Sequence, residues 1–365
     1  MQKKLIIFIP SIEDGGVEKN LFIISNYLST KINNIELITC NNNYKNRFSS
    51  KINIISPNNN FFWNKKRIIK YLLCLIILFY RIIVNNRKVV IFAFQANIYA
   101  ILIAKILHVK IITRSNSSPS GWSKNYLKNL LFKFLLKKAD KIIVNSLEFQ
   151  KEFYSKFKIH TICIYNPFDK KIIDSKSTKK IKNKFFNKNN LKIINVGRLT
   201  EQKDQITILK ALKFINSKFN AKLLIIGKGA EYNFLKKYIK NNNLYSNVKL
   251  LGYKSNPFPY IRSSHIVVLT SKFEGLPNIL LEAQYLKKYI ISTNCPTGPN
   301  EILLNGKFGS LIKIGNYKDL AKKINDYYKN KKLINKMILQ GFKAMDRFDY
   351  EMNCRKYFKL VDNYL

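Results

Sequence analysis

Acidic residues are scarce in this chain: of 365 residues only 21 are Asp or Glu, against 65 Lys and Arg, for a net charge of +44. That imbalance builds a strong positive potential and calls for an anionic partner, whether nucleic acid, a phospholipid surface or a phosphorylated substrate. Charge alone does not separate these, and a composition dense in Lys, Asn and Ile is also what an AT-rich coding sequence produces. Cysteine is sparse as well. Cys40, Cys74, Cys163, Cys295 and Cys354 are odd in number and scattered, with no Cys-x-x-Cys pair and no Cys/His cluster. This argues against a structural zinc site and for reduced, buried thiols in a cytoplasmic compartment. Long apolar runs are missing too. Leu5–Ile9, after Lys3 and Lys4, is shorter than the ~7–15 apolar residues of a signal-peptide core, and Glu13 and Asp14 follow almost at once. It reads as a first buried strand. The longest apolar stretch, Tyr71–Tyr80, cannot span a bilayer, which takes ~20 residues. Edged by Arg67, Lys70, Arg81, Arg87 and Lys88, it reads either as a core helix with solvated ends or as a helix lying in a membrane interface.

What the chain does have is material for packed interiors: 47% hydrophobic residues, with 25 Phe and 21 Tyr. Its length favours two domains at roughly 100–200 residues each. Short β-branched runs at Leu5–Pro10, Ile35–Thr39, Val89–Phe94, Lys110–Thr113 and Lys141–Val144 read as parallel strands, separated by helical spacing as in Glu18–Ser29 and Asn97–Leu107. Residues Asp169–Asn190 are Lys-, Asn- and Ser-rich and read as a linker. A second series follows with Lys192–Val196, Lys222–Ile226, Val248–Leu250, Ile266–Leu269, Tyr289–Ser292 and Ser310–Ile312. Alternation of strand and helix in both halves predicts two doubly wound α/β domains, residues 1–168 and 169–345, with 346–365 as a final helix. Three glycines (Gly15, Gly16, Gly121) precede residue 170 and ten follow it. Because glycine permits close backbone approach, the second half is the better candidate for holding a phosphorylated ligand.

The most informative segment runs Thr270-Ser271-Lys272-Phe273-Glu274-Gly275-Leu276-Pro277-Asn278 and on to Glu282. It follows a strand and opens a helix, with Pro277 suited to the first helical position, and helix-start amides form a site for a diphosphate. Glu274 and Glu282, with seven residues between them, can serve different parts of one extended ligand. Two acids beside an anion require cations nearby. Arg198 and Lys203 in Gly197-Arg198-Leu199-Thr200-Glu201-Gln202-Lys203 supply them, again at a strand's C-terminal end. Gly227-Lys228-Gly229 and Gly15-Gly16 are further strand-to-helix turns, each weak alone.

Together, Gly15-Gly16-Val17-Glu18, Gly197-Arg198-Leu199 with Lys203, Gly227-Lys228-Gly229, and Glu274-Gly275-Leu276-Pro277-Asn278 with Glu282 resemble the glycosyltransferases of family 4, over nearly the whole chain. The resemblance implies a GT-B fold, with two Rossmann-like domains facing a central cleft and a last helix crossing back to the first domain. It implies a retaining transfer from a nucleotide-sugar donor with no metal or other cofactor. No Asp-x-Asp occurs, the usual metal-binding signature of the other major glycosyltransferase fold. By analogy Arg198 and Lys203 hold the diphosphate, Glu274 contacts the transferred sugar and Glu282 takes the ribose hydroxyls. The amides after Gly275 complete the cradle, so that Gly275, Leu276, Pro277 and Asn278 line the donor site, with Gly197, Gly229 and Gly16 against the donor and Tyr253 at the base pocket. Many family members carry a His after the Lys110–Thr113 strand. This chain has Arg114-Ser115-Asn116-Ser117-Ser118 there, residues assigned to the acceptor side, while His108 reads as structural.

Cys295-Pro296-Thr297-Gly298-Pro299-Asn300-Glu301 is similar to the branch that adds N-acetylhexosamines or hexoses to lipid-linked or surface glycans. It makes Glu301 a donor contact, or else the acid of a Pro/Gly turn that starts a helix. A polyprenyl-diphosphate-linked acceptor at the inner membrane face would account for the basic, apolar segments Lys65–Lys88 and Lys124–Lys141 and make the enzyme peripheral. The donor is expected to be UDP-linked, and nucleic acid is not expected as a partner. A same-fold epimerase and a non-catalytic basic binding module are the competing readings.

Overall fold

The computed structural model describes residues 3–13, 15–57, 67–116, 119, 126–181, 185–187, 189–215 and 220–365. Asp14, Lys65, Ser117, Ser118, Gly121 and Lys124 lie outside the described residues. The chain divides into two compact units, Met1–Pro167 with Tyr350–Leu365, and Phe168–Asp349.

The first unit holds a seven-stranded parallel sheet: β1 (Lys4–Phe8), β2 (Ile35–Ile38), β3 (Ile52–Ile55), β4 (Val89–Ala93), β5 (Lys110–Arg114), β6 (Lys141–Val144) and β7 (Ile162–Cys163), in spatial order β3-β2-β1-β4-β5-β6-β7. Its strands are mostly apolar because both faces are covered. Ile6, Phe8, Ile91 and Ala93 enter one core with Cys74, Leu78, Ala100, Ala104 and Phe149. Their neighbours Leu5, Ile7, Val90 and Phe92 enter the other with Leu21, Leu28, Tyr357 and Val361. The period of two along each strand thus assigns alternate residues to opposite helical layers.

Buried charge ties this sheet to its helix layer next to the β3 edge. Glu36 on β2, 2% exposed, accepts from Arg81 Nε at 2.9 Å and Lys4 Nζ at 2.7 Å and also pairs with Arg81 Nη2. Burial alone would raise its pKa, but the two cations outweigh it and hold the carboxyl below its ordinary value. Its contribution to stability is therefore present above the ordinary carboxylate pKa and is lost as pH falls through the lowered one. Glu36→Gln is expected to cost about 3 kcal/mol near neutral pH, since it leaves Arg81 facing a neutral partner. Urea denaturation of both proteins across pH tests this: the gap should narrow on acidification, and a gap constant with pH would show the loss to be steric.

The second unit repeats the architecture with β8 (Lys192–Val196), β9 (Lys222–Ile226), β10 (Val248–Leu250), β11 (Ile266–Leu269), β12 (Tyr289–Thr293) and β13 (Ser310–Ile312), all parallel, ordered β10-β9-β8-β11-β12-β13. Strand order reverses between β8 and β11, where Ile266 pairs with Ile193 and Val267 with Ile194. Ligands of open α/β sheets bind at this kind of switch point, outside the carboxyl ends of the strands.

Three sequence expectations are corrected. The stretch from Asp169 is no simple linker. Asp169 caps a helix, Lys170–Ser177, accepting from Ile172 N at 3.2 Å, and Tyr285 Oη donates to Asp174 at 2.7 Å. Its sparse apolar content, with Ile173 as its buried hydrophobic residue, hid it. The final helix begins at Tyr350 rather than near Asp346, because Ala344–Phe348 forms a 3₁₀ turn in the second unit. The apolar run at Tyr71–Tyr80 is the middle of a longer helix, Arg67–Val84. No helix among the described residues is long and apolar enough to cross a membrane.

Candidate active site

In the second unit the switch point brings two loops together. The loop after β8 carries Gly197 to Asp204, and the loop after β11 carries Thr270 to Pro277. They are joined at backbone level: Lys272 N donates to Gln202 O at 2.8 Å, and Gln202 Nε2 to Phe273 O at 2.8 Å. The Thr270 hydroxyl reaches Lys203 O at 3.0 Å and Asp204 O at 2.9 Å, fixing the backbone from which Lys203 projects. Lys203 Nζ then lies 2.5 Å from Glu274 Oε1, and the same oxygen accepts from Ser271 Oγ at 2.5 Å. Glu274 is 7% exposed, so a carboxylate, an ammonium and a hydroxyl meet in a nearly buried cluster.

A third loop, after β12, supports the second from below. Thr293 Oγ1 donates to Ser271 O and Thr297 Oγ1 to Glu274 O, each at 2.6 Å, and Glu274 N donates to Pro296 O at 3.3 Å. Gly298, at φ +85°, sits so close that an added Cβ would lie 2.1 Å from Gly275 O. The helix Asn278–Tyr285 starts directly after Gly275-Leu276-Pro277. Its first amides have no intrahelical acceptor and mark the positive end of the helix dipole. Pro277 falls at the N-cap, with ψ 108°, one residue before the first helical position expected for it. Its fixed φ suits either place, and only ψ distinguishes them.

The remaining predicted residues fall into distinct settings. Glu282 is buried on the same helix, 4% exposed, whereas Asn278 is half-buried. Arg198 is exposed at the tip of the β8 loop, where Gln205 Nε2 holds its carbonyl at 2.9 Å. Gly229 packs its backbone against the same loop, since a Cβ there would lie 2.1 Å from Leu199 O, and Gly197 N donates to Ile226 O at 3.0 Å. Tyr253 is 42% exposed, with Lys228 Nζ 5.0 Å from its ring centre. At Glu301 the backbone carbonyl is held by Arg347, at 2.9 Å.

Cys295 lies within electrostatic reach of Glu274 and Lys203. Burial, then the Glu274 charge, push its thiol pKa up to about 12. It stays protonated at ordinary pH and is no nucleophile. At pH 8 an alkylating reagent is expected to leave Cys295 unmodified until the protein is unfolded. Peptide mapping of labelled native protein checks this, and rapid native labelling would refute the buried setting.

In the first unit, Gly16 is the first residue of the helix Gly16–Leu28. Glu18 folds back to accept from Gly15 N at 2.9 Å and Glu13 N at 3.4 Å, pinning the turn before the helix, and burial raises its pKa. Arg114 needs correction. It is 1% exposed and donates from Nε to Tyr357 Oη at 3.0 Å, from Nη2 to Asn166 at 2.6 Å, and from Nη1 to Asn116. With its donors committed inside the core, it braces β5 to the last helix and offers no guanidinium to an acceptor. Ser115 is buried and its amide donates to Ile143 O at 2.8 Å, while Asn116 Nδ2 donates to Phe94 O at 2.7 Å.

Sequence reasoning missed Gln202, Thr270, Ser271, Thr293, Thr297 and Gly298 as parts of the site. A signal was present: Thr270-Ser271 and Thr293 place hydroxyls at the carboxyl ends of two strands, where backbone carbonyls need donors.

Two parallel-sheet Rossmann-like units, with a cation-carboxylate pair and a helix start at the second switch point, define a GT-B protein. Residues 176–344 match the family model Glycosyl transferases group 1. An uncharacterized glycosyltransferase of Methanocaldococcus jannaschii is 38% identical over 203 residues, which is 50% of this chain and 50% of that protein. The N-acetylgalactosamine-N,N'-diacetylbacillosaminyl-diphospho-undecaprenol 4-alpha-N-acetylgalactosaminyltransferase of Campylobacter jejuni is 27% identical over 355 residues, 90% of this chain and 93% of that one. Among solved structures, Anabaena HepE in complex with UDP-glucose aligns over 99% of this chain and 100% of its own, with a TM-score of 0.81 at 18% identity, a likeness of fold.

Proposed function

We propose that this chain is a metal-independent, retaining glycosyltransferase of the family 4 type. It moves a hexose or N-acetylhexosamine from a UDP-linked donor to a glycan or polyprenyl-diphosphate-linked acceptor in surface polysaccharide or glycoconjugate synthesis. The observation that carries the reading is the buried Lys203–Glu274–Ser271 cluster at the β8/β11 switch point, beside the start of the helix Asn278–Tyr285. The Campylobacter relative, by its name an N-acetylgalactosaminyltransferase acting on a diphospho-undecaprenol-linked glycan, supports the acceptor class.

In this reading Lys203, Arg198 and the helix-start amides take the charge that builds on the departing diphosphate. Glu274, positioned by Ser271, accepts hydrogen bonds from the transferred sugar, and Glu282 accepts from the ribose. The bond from the sugar's anomeric carbon to phosphate oxygen breaks as the bond to the acceptor oxygen forms on the same face. The acceptor's proton passes to the departing phosphate oxygen, so no protein nucleophile is required. The enzyme works at the inner face of the cell membrane as a peripheral protein.

Purified protein incubated with a panel of nucleotide sugars and lipid-linked acceptors, in EDTA, should release nucleoside diphosphate only when acceptor is present. Glu274→Ala should lower that release about a hundredfold. Conversion of the donor without acceptor would instead identify an epimerase, and inertness toward every donor would leave a binding module.

A further inference from the structure

The helix Arg67–Val84 is apolar on two faces. One, with Cys74, Leu78 and Ile82 fully buried, packs on the first sheet. The opposite face presents Ile68, Leu72, Ile76, Tyr80 and Ile83, between 47% and 75% exposed and spaced three or four residues apart. A helix of a water-facing layer normally carries polar residues there. Its neighbour, Asn97–Ile106, exposes Tyr99, Leu102 and Ile106 by the same spacing, and the next helix, Tyr126–Leu136, exposes Leu130, Leu131 and Phe134. All three pack onto one face of one sheet, so their outward residues share one side of the unit. Isolated exposed apolar residues are ordinary, but an apolar strip across three adjacent helices marks a surface built to be covered.

The local charge selects what covers it. Between Glu36 and Asp140 the chain contains no acidic residue. Arg87, Lys88, Lys137 and Lys138 are exposed at the ends of these helices, and Lys138 Nζ lies 5.3 Å from the Phe134 ring centre. An apolar strip with Arg87, Lys88, Lys137 and Lys138 at its helix ends matches the boundary of an anionic bilayer, where rings and branched side chains enter the acyl region and ammonium groups stay among the phosphates. We infer that the outer face of these three helices docks on an anionic lipid surface, with the helix Arg67–Val84 lying in its plane. This deepens the peripheral reading proposed above and names the surface that performs it.

The test uses the full chain and flotation with vesicles of phosphatidylcholine, with or without phosphatidylglycerol. Wild type should float with the anionic vesicles and less as salt is raised. The variants Leu72→Asp/Ile76→Asp and Phe134→Asp should each lose about tenfold in binding, because a carboxylate is driven into the acyl boundary. Leu333→Asp/Leu339→Asp, at exposed apolar positions of the second unit, should float like wild type. Thermal unfolding confirms that each variant is folded. Face variants that float undiminished, or a wild type that ignores anionic vesicles, would overturn the inference. So would a wild-type dimer that the face variants convert to monomer without any vesicle binding, since a second copy would then be the cover. Diphosphate release with a detergent-dispersed acceptor is read in parallel. Face variants should keep it, whereas flotation without turnover by wild type would sink the transferase reading alone.

Discussion

Lys203→Ala is expected to lower acceptor-dependent diphosphate release by about a thousandfold in kcat, the upper range for removing one group that stabilises a developing anion. The side chain is held in place before any donor arrives. Its backbone carbonyl is bonded to Thr270, the next residue sits at φ +48°, and its ammonium touches Glu274. A cation fixed in this way loses little freedom when the leaving phosphate gains charge, so its worth is realised in the transition state. Removal also leaves the Glu274 carboxylate with Ser271 alone among the contacts above, so a displaced carboxylate would add to the loss. Lys203→Met combined with Glu274→Gln separates the two effects. If the pair acts as one unit, the double variant is no worse than the poorer single one. Steady-state kinetics at saturating donor decide it, and a Lys203→Ala enzyme within a few-fold of wild type would remove Lys203 from the chemistry.

Gly298→Ala is expected to destabilise the second unit by about 3 kcal/mol or more and to abolish most transfer, though Gly298 lies behind the reacting groups. Two separate penalties meet there. A residue with a Cβ is strained at φ +85°, and that Cβ would lie 2.1 Å from Gly275 O and 2.8 Å from Pro277 Cδ. Relief requires the Glu274-Gly275 backbone to move, and with it the carboxylate and the helix start. Gly315→Ala is the matched control. It has φ +73° but nothing within 4 Å of the added carbon, so the backbone term acts alone, at about 1 kcal/mol. Urea midpoints of the two variants should differ clearly. Equal losses would show that the close approach is slack and the loop free to shift.

The strands of both sheets were legible wherever a buried run was bounded by turn residues. Lys141–Val144, Lys192–Val196 and Ile266–Leu269 match residue for residue. β3 and β7 were not, because an edge strand needs less apolar sequence: Ile52–Ile55 is interrupted by Asn53, and β7 is two residues long. At the site, Lys203 and Glu274 stood out because charge at a strand's carboxyl end has no business in a core. The hydroxyls of Thr270, Thr293 and Thr297 did not, since their partners are backbone carbonyls and sequence carries no sign of which carbonyl is near. Arg114 shows the opposite failure. It stands at the carboxyl end of a strand as a site residue should, yet its partners Asn166 and Tyr357 lie 52 and 243 positions away, beyond what local pattern encodes.

The switch point also sets a timetable. Lys203 and Glu274 are 71 positions apart, and between the neighbouring strands β8 and β11 that carry them the chain makes β9, on the other side of β8, and β10 beyond it. On the ribosome, the Lys203–Glu274 cluster therefore has no rudimentary form. A nascent chain that has emerged only as far as β10 can fold three strands of the second sheet and still lack Glu274 and Thr270, the partners of Lys203, and every residue of the loops after β11 and β12. Pairing across such separations is slow because loop closure precedes its reward. The unpaired edge of β8 is the surface through which a stalled or truncated chain would associate with another copy of itself.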